Sequence, residues 1–494
     1  MGLVFVPLYI DFLGIEAYGL IGIFATLFAI FCLLDMGLSS TLNREIARFS
    51  VQEGKIQEMR DLVRTLEIPY WLTGLLISVI VMMSSQFIAN HWVNVKNMSP
   101  ETVQITIMLM GLAVAFQWPI GFYSGGLMGL QRQVLLNVIN AVIATFRGGG
   151  SVLILWLISP TVLAFFSWQI VVSFFHVSLL VFYLWHSMPY ATESPRFRSE
   201  LLLQIWRFAA GMTGITITGL FITQIDKILL SKLLTLENFG YYSFGTIVVS
   251  TLYRFIGPIY SAVFPRFSEL VSLGDEEGLR QLYHKSCQLL SVIILPISVI
   301  LIFFSSEILL LWTGDVLTVV KSHLIVRLLS IGAVLNGLMH IPYALTLAYG
   351  WTRITFYMHI LAIIVLVPMI YFLTTRYGVV GAPIGWIVFN SCHILITINI
   401  LHSRLLKKEK WNWYLKDVGI PLVVSLIVAL CWRIGIPADI SRISILMLLG
   451  GVLLSTLLST VVAVSSTRSW VVHALKIDAA LIKFKTVYGG KSGA

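Results

Sequence analysis

The sequence is poor in charge. Asp, Glu, Lys and Arg make up 11% of its 494 residues, where a soluble domain carries about 25%. With 58% apolar residues and a mean hydropathy of +0.90, a chain of this length has more apolar surface than a water-exposed fold can hide, which excludes a soluble globular protein. Cysteine is scarce too. Cys32, Cys287, Cys392 and Cys431 lie within or at the ends of apolar runs without metal or redox spacing, so they read as small lipid- or core-facing residues. The apolar runs lack the period-2 alternation of barrel strands, and Met1 to Leu13 lacks the basic start and small-residue cleavage site of a signal peptide. No loop is long enough to fold as a soluble catalytic domain. The net charge of +10 would suit nucleic acid, but no soluble domain is there to carry such a site. Placement relative to a membrane explains the excess.

What the sequence does have is apolar runs of about 20 residues, each enough helix to cross a bilayer. About fourteen spans are expected between residues 1 and 465. The first, 1–13, is too short to cross as written, so either the chain starts inside its true first helix or that segment only enters the interface. Lys and Arg fall unevenly on the two sides. The loops after even-numbered spans, with the tail, hold about 22 of them, against 5 on the other side (Lys96, Lys232, Lys321, Arg376 and Arg442), which puts those loops and the C-terminus in the cytoplasm. The longest loop, about residues 40–67, carries charges at roughly helical intervals. It reads as an amphipathic helix on the membrane or as a solvated connector. The segment 187–205 is polar and proline-bearing.

Functional information sits in polar residues where lipid is expected. Span 5 (134–158) carries Asn137, Asn140, Ala144, Arg147 and Ser151 on one helix face. This stripe reads as the wall of an aqueous cavity, with a carbonyl-paired or snorkelling arginine as the alternative. Gly148, Gly149 and Gly150 follow, and would loosen the helix or admit another backbone. Span 7 (206–230) repeats the pattern with Thr213, Thr216, Gly219, Thr223 and Asp226, beside Gln224, Lys227 and Ser231. Asp226 could take up a proton or cation, or neutralise a nearby arginine. Span 8 (241–265) has Ser250 and Arg254 one turn apart, then Gly257-Pro258, where a kink is expected. Span 10 (323–348) has Arg327 and Ser330, then Asn336, His340 and Tyr343. Arg207, Arg433 and Glu307 lie near span ends and read as interfacial. His176, His359 and His393 are isolated and read as core or interfacial histidines. The deep set of Arg147, Lys227, Arg254 and Arg327 against Asp226 is cationic, which suits an anionic, phosphate-bearing substrate.

Leu13-Gly14-Ile15-Glu16-Ala17-Tyr18-Gly19 has an echo at Leu236-Glu237-Asn238-Phe239-Gly240-Tyr241. An echo at half-chain distance suggests two similar helical lobes, with coincidence as the alternative. The first copy, continuing through Leu34-Asp35-Met36-Gly37-Leu38 to Arg44 and Ala47, resembles the N-terminus of the polysaccharide (O-antigen) flippases. Their superfamily also holds multidrug and toxin extrusion proteins and the lipid II flippase. Gly129-Leu130-Gln131-Arg132, Gln224-Ile225-Asp226-Lys227 and Tyr377-Gly378-Val379-Val380-Gly381-Ala382 are similar to the family as well. The resemblance covers nearly the whole chain, and the order of its short motifs carries it.

The resemblance implies an all-α membrane protein with a V-shaped pair of six-helix lobes. These would be an N-lobe at 1–186, a cytoplasmic linker at 187–205 and a C-lobe at 206–401. A basic cytoplasmic loop (402–417), two added spans (418–465) and a cytoplasmic tail (466–494) would follow. The implied function is not enzymatic: it is to flip an undecaprenyl-diphosphate-linked oligosaccharide across the bacterial cytoplasmic membrane by alternating access. Arg147, Arg254 and Arg327, with Lys227 and Asn140, would line the substrate cavity, and Asp226 would serve ion coupling. Membrane lipids and the polysaccharide polymerase machinery are the implied partners; nucleic acid, a cofactor and a metal are not expected. The alternatives are a cation or drug antiporter of the same superfamily and a membrane-embedded glycan polymerase or ligase.

Overall fold

The computed structural model describes residues 2–35, 37–52, 54–191, 193–435 and 441–468, and within them the side chains of all but 2–3, 33, 202–217, 220 and 352–355. Among the described residues there is no strand; an isolated bridge joins Asn94 and Thr235. Nine helical stretches there are long and apolar enough to cross a membrane, ten if one bent pair counts as a single span, and Val4–Leu13 and Ile15–Phe31 are shorter apolar helices. The chain is an all-α, multi-pass membrane protein. It divides into two compact units.

The first unit comprises Met1–Phe244 and Ile354–Ala382. Its helices run α1 (Gly2–Leu13), α2 (Ile15–Phe31), α3 (Leu38–Phe49), α4 (Ile56–Phe87), α5 (Pro100–Gln117), α6 (Ile120–Gly129), α7 (Gln133–Leu157), α8 (Val162–Ser187), α9 (Ser199–Leu233), most of α10 (Leu236–Ser250), and α16 (Thr352–Tyr377). The caps are where the sequence supplies them: Ser99 and Thr161 accept from backbone N–H groups of Thr102 and Ala164, opening α5 and α8. Helix α7 shows the membrane pattern plainly. Val134, Val138, Val142 and Phe146 stand exposed on one face, while Leu136, Ile139 and Ile143 are buried on another, so lipid solvates the first set.

Loop 40–67 is not one surface helix. The helical run of α3 ends at Ser50, and Gly54 stands at φ 79°, a conformation that side chains with a Cβ rarely adopt. The first part is α3, whose Leu42, Glu45 and Ile46 are buried, with Glu45 held by Arg44 (2.7 Å) and Arg48 (3.2 Å). The second part is the amino end of α4, continuous with the third span. Pro189 and residues 194–198 are tied to that end. Arg198 Nε lies 2.7 Å from Oδ2 of the fully buried Asp61, whose Oδ1 accepts from Arg196 N (2.9 Å) and Gln57 Nε2 (2.9 Å). Arg198 N also donates to Thr65 Oγ1.

Loop 92–97 fastens several elements on the opposite face. Glu16 accepts from the backbone N–H groups of Lys96 (2.6 Å) and Asn97 (3.0 Å). Asn94 Nδ2 donates to the carbonyls of Lys232 and Leu234, closing α9, and Leu236 N donates to Asn94 O as α10 begins. The two echo segments pack on each other. A Cβ added at Gly19 would fall 2.6 Å from Leu236 O, and one added at Gly240 would strike Ile15 O. With Glu16 aligned on Glu237, these are equivalent positions, so the approach is reciprocal.

The second unit comprises Gly245–Arg353 and Pro383–Ala494. It holds the end of α10, then α11 (Tyr253–Leu273), α12 (Glu276–Phe303), α13 (Ser305–Thr313), α14 (Val316–Leu338), α15 (His340–Ala348), most of α17 (Gly381–Arg404), α18 (Lys410–Asn412), α19 (Ile420–Ile434) and α20 (Arg442–Ala463). The kink expected at Gly257-Pro258 falls one to two turns earlier, between α10 and α11 at Thr251-Leu252. The ring of Pro258 bears on the carbonyl of Arg254, inside α11, so it does not by itself place the break at Thr251-Leu252. With that break between them, Ser250 and Arg254 do not share a helix face. Asp417, fully buried in the π-helical turn Trp413–Gly419, is held by His284 Nδ1 (2.5 Å) and Gln288 Nε2 (2.9 Å). Beside it Glu409 bonds Asn412 and Arg280, which hold its carboxyl below the ordinary range although burial pushes the other way. Arg433 and Glu307, both expected at the interface, pair with each other.

Candidate functional site

Within the first unit, α2 to α8 and the turn at Cys32–Asp35 line an open cavity of about 580 Å³. The span 5 stripe forms one wall. Asn140, Ile143, Ala144 and Arg147 line the cavity at spacings of one helical turn. Asn137 is exposed, and Ser151 is buried below the lining with its hydroxyl on Arg147 O (2.7 Å). The glycines after Arg147 do not loosen the helix, since α7 runs unbroken through them. They admit aromatic rings instead of backbone. Phe5 lies over Gly148 and Trp168 over Gly150, and Tyr9 OH donates to Gly148 O (3.1 Å).

A buried polar network positions Arg147. Its Nη2 is 3.4 Å from Ser173 Oγ, which also accepts from Gln117 Nε2 (3.1 Å) and donates to Gln169 O (2.6 Å). Gln169 Nε2 in turn donates to Ser151 Oγ (3.0 Å). Among the described residues Arg147 forms no ion pair, so most of its planar fork of N–H donors is left for something else. His176 is not isolated. Its Nε2 lies 3.1 Å from Asn140 Oδ1, and it lines the same cavity.

Three lining residues were not legible as site residues. Asp35 stands in the cavity and accepts from Ser39 Oγ (2.7 Å) and Ser39 N (3.3 Å), while Ser39 meets Tyr70 OH (2.9 Å). Trp118 lies at the break between α5 and α6, where Pro119 cannot continue the helical hydrogen bonding. The dipeptide Trp-Pro inside span 4 was the available signal. Gln117, beside it, carries the bond to Ser173. With Asp35 present, the lining holds one carboxylate for its one guanidinium, so the cavity is not simply cationic.

The other predicted residues lie elsewhere. Asp226 accepts from Tyr242 OH through Oδ2, and its buried Oδ1 has no partner among the described residues. Lys227 Nζ bonds Gln224 Oε1 (3.1 Å) and Thr223 O (3.2 Å), turned away from Asp226 as their separation on the helix requires. The side chains of Arg207, Thr213 and Thr216 fall outside the described residues. Arg254 and Arg327 belong to the second unit. Arg254 is exposed, whereas Arg327 is half-buried with Nε 2.9 Å from Ser305 Oγ. Neither forms an ion pair among the described residues. Asn336 Nδ2 donates to Asn390 Oδ1 (3.1 Å), and His340 Nδ1, at the start of α15, lies 3.2 Å from the Asn336 and Gly337 carbonyls at the end of α14.

The helical fold is shared with solved membrane proteins. Over 93% of this chain and 96% of the other, it is similar to the lipid II flippase MurJ in an inward closed conformation, with a TM-score of 0.68 at 13% identity. It is also similar to an inward-facing multidrug resistance MATE family transporter of the MOP superfamily, with a TM-score of 0.66 at 15% identity over 81% and 94% of the two chains. Residues 11–321 match the family described as polysaccharide biosynthesis protein, and the chain belongs to that family. A Shigella flexneri protein named "Putative O-antigen transporter" is 22% identical over 374 residues, 76% of this chain and 87% of that protein.

Proposed function

We propose that the protein is a flippase that moves an undecaprenyl-diphosphate-linked oligosaccharide from the cytoplasmic to the outer leaflet of the bacterial inner membrane, with its C-terminus in the cytoplasm. The observation that carries this reading is Arg147, which lines a 580 Å³ cavity and forms no ion pair among the described residues. A guanidinium is the side chain best matched to phosphate oxygens, and low-dielectric walls around a cleft strengthen that attraction. Family membership supplies polysaccharide biosynthesis, and the transporter fold makes movement rather than bond chemistry the expected activity.

In this mechanism Arg147 and Asn140 hold the diphosphate while the lipid tail stays in the bilayer. Arg254, Arg327 and Lys227 take part as the lobes at 1–186 and 206–401 alternate their opening. Asp226, with one buried oxygen unpaired, is the candidate for proton or cation coupling, and the polymerase machinery would receive the product.

The test is surface glycan in a strain depending on this protein. Arg147→Ala is expected to lower it at least about tenfold, the equivalent of 1.4 kcal/mol, and Arg147→Lys to restore part. Arg254→Ala should give a smaller loss. Unchanged glycan with Arg147→Ala at normal protein abundance would reject the reading. Asp35 supports a second reading, a cation antiporter, because a carboxylate in the cavity suits a cation. One of its oxygens, however, is engaged by Ser39 at the start of α3. Accumulation of a cationic dye on deletion of the gene would favour that alternative.

A further inference from the structure

The second unit carries a patch of aromatic rings apart from the cavity of the first. Tyr253, Gly257 and Tyr260 recur at about one-turn intervals along α11, so they share one face of that helix. Tyr260 meets Tyr343 of α15 with ring centroids 6.4 Å apart and planes 21° apart. His340, at the start of α15, meets Tyr253 and Tyr260 edge-on at 6.0 and 6.5 Å. The Tyr253 hydroxyl donates to Asn336 Oδ1 of α14 (3.2 Å). A Cβ added at Gly257 would meet nothing within 4 Å, so the face between the two tyrosines of α11 is open.

These rings are not a sealed core. Tyr253 and Gly257 are exposed, and Tyr260, His340 and Tyr343 are half-buried. The hydroxyls of Tyr260 and Tyr343 bond no described group, and neither oxygen is buried. His340 Nδ1 lies 3.2 Å from the carbonyls of Asn336 and Gly337, which only accept, so Nδ1 carries the proton. In the neutral ring Nε2 is then a bare acceptor. It too is unburied and bonds no described group.

The open atoms select the ligand. Two hydroxyls can donate or accept, one nitrogen accepts, and none of the three is charged. A phosphate, which only accepts, would leave His340 unmet, and an acyl chain would leave all three unmet. A sugar ring suits the whole patch. Its hydroxyls both donate and accept, and its C–H face packs on the negative face of an aromatic ring. Aromatic walls with a few placed polar groups are the usual make-up of a small-molecule site. Arg254, exposed and without an ion pair among the described residues, puts a cation on the adjoining stripe of α11. In the orientation proposed above, α11 runs toward the cytoplasmic loop at Arg266, about 9 Å of helix beyond Tyr260. The patch then lies toward the leaflet from which the glycan is taken.

We propose that Tyr253, Tyr260, His340 and Tyr343 form a platform in the second unit that stacks against an uncharged sugar of the lipid-linked glycan. This deepens the flippase reading and rests on it.

The test compares two probes on the full chain in lipid nanodiscs: farnesyl diphosphate, and farnesyl diphosphate carrying one N-acetylhexosamine. Wild type should bind the sugar-bearing probe at least about fivefold more tightly, the worth of one well-stacked ring. Tyr260→Leu and Tyr343→Leu should each cut that advantage to about twofold or less, with the bare diphosphate held within about twofold of wild type. If one variant does not fold, the other, on a different helix, carries the test. Equal binding of both probes by wild type would overturn the platform, as would an advantage that survives in the folded leucine variants. An equal loss for both probes would overturn it too, because rings that serve only packing or the headgroup level do not distinguish the sugar. The flippase reading is judged separately, on whether Arg147→Gln abolishes binding of the bare diphosphate. If wild type binds neither probe, both readings fall.

Discussion

The two copies of the internal echo hold the same carboxylate at the same position and use it differently. Glu16 is buried and accepts backbone hydrogen bonds from Lys96 and Asn97. Glu237 is half-buried and, among the described residues, reaches the Lys96 ammonium alone, at 3.5 Å. Both meet the same loop, and the glycine after each lets its helix lie against the other copy's backbone. The echo therefore marks a packing joint. Its glycines are equivalent because the approach is reciprocal, whereas its glutamates diverge because one loop cannot present its backbone to both.

Substitutions at the joint separate these roles. The largest effect is expected from Gly240→Val, since the added Cβ strikes the rigid carbonyl of Ile15; overpacking of this kind costs about 3 kcal/mol or more against backbone. Gly19→Val should be nearly as damaging, and both would be read as lost folded yield and a lower melting temperature in detergent. If either were tolerated, the reciprocal approach would be wrong. Glu16→Ala should cost about 2–3 kcal/mol, because two N–H groups lose a charged acceptor. Glu237→Ala should cost about 0–1 kcal/mol, the worth of a partly exposed ion pair. Equal losses at the two glutamates would erase the distinction drawn here.

Much of the fold was legible because lipid imposes a simple pattern. Apolar helices and the polar stripe of α7 follow from periodicity along one helix, whereas what Arg147 pairs with depends on the helices around it. The cavity was less legible because its walls come from seven helices, α2 to α8. Asp35 sat in a recognised motif, but its place in the same cavity as Arg147 depends on how several helices pack. His176 looked isolated because its partner Asn140 lies 36 residues away on another helix. Prolines announced breaks without locating them: Pro119 sits at its break, whereas Pro258 lies inside α11 with the break upstream.

The clamp at Asp61 has a consequence for how the protein is made. Asp61 waits 135 residues for the Arg196 backbone that completes its shell, and at about 5–20 residues per second that is roughly 7–27 s of synthesis. Throughout that interval the amino end of α4 carries a carboxylate that cannot be buried. Four further helices, α5 to α8, must be threaded into the bilayer before it can be. The first half of the chain thus has a built-in last step, which falls when segment 189–198 leaves the ribosome. A stalled chain ending before Arg196 should leave α4's amino end open to proteases.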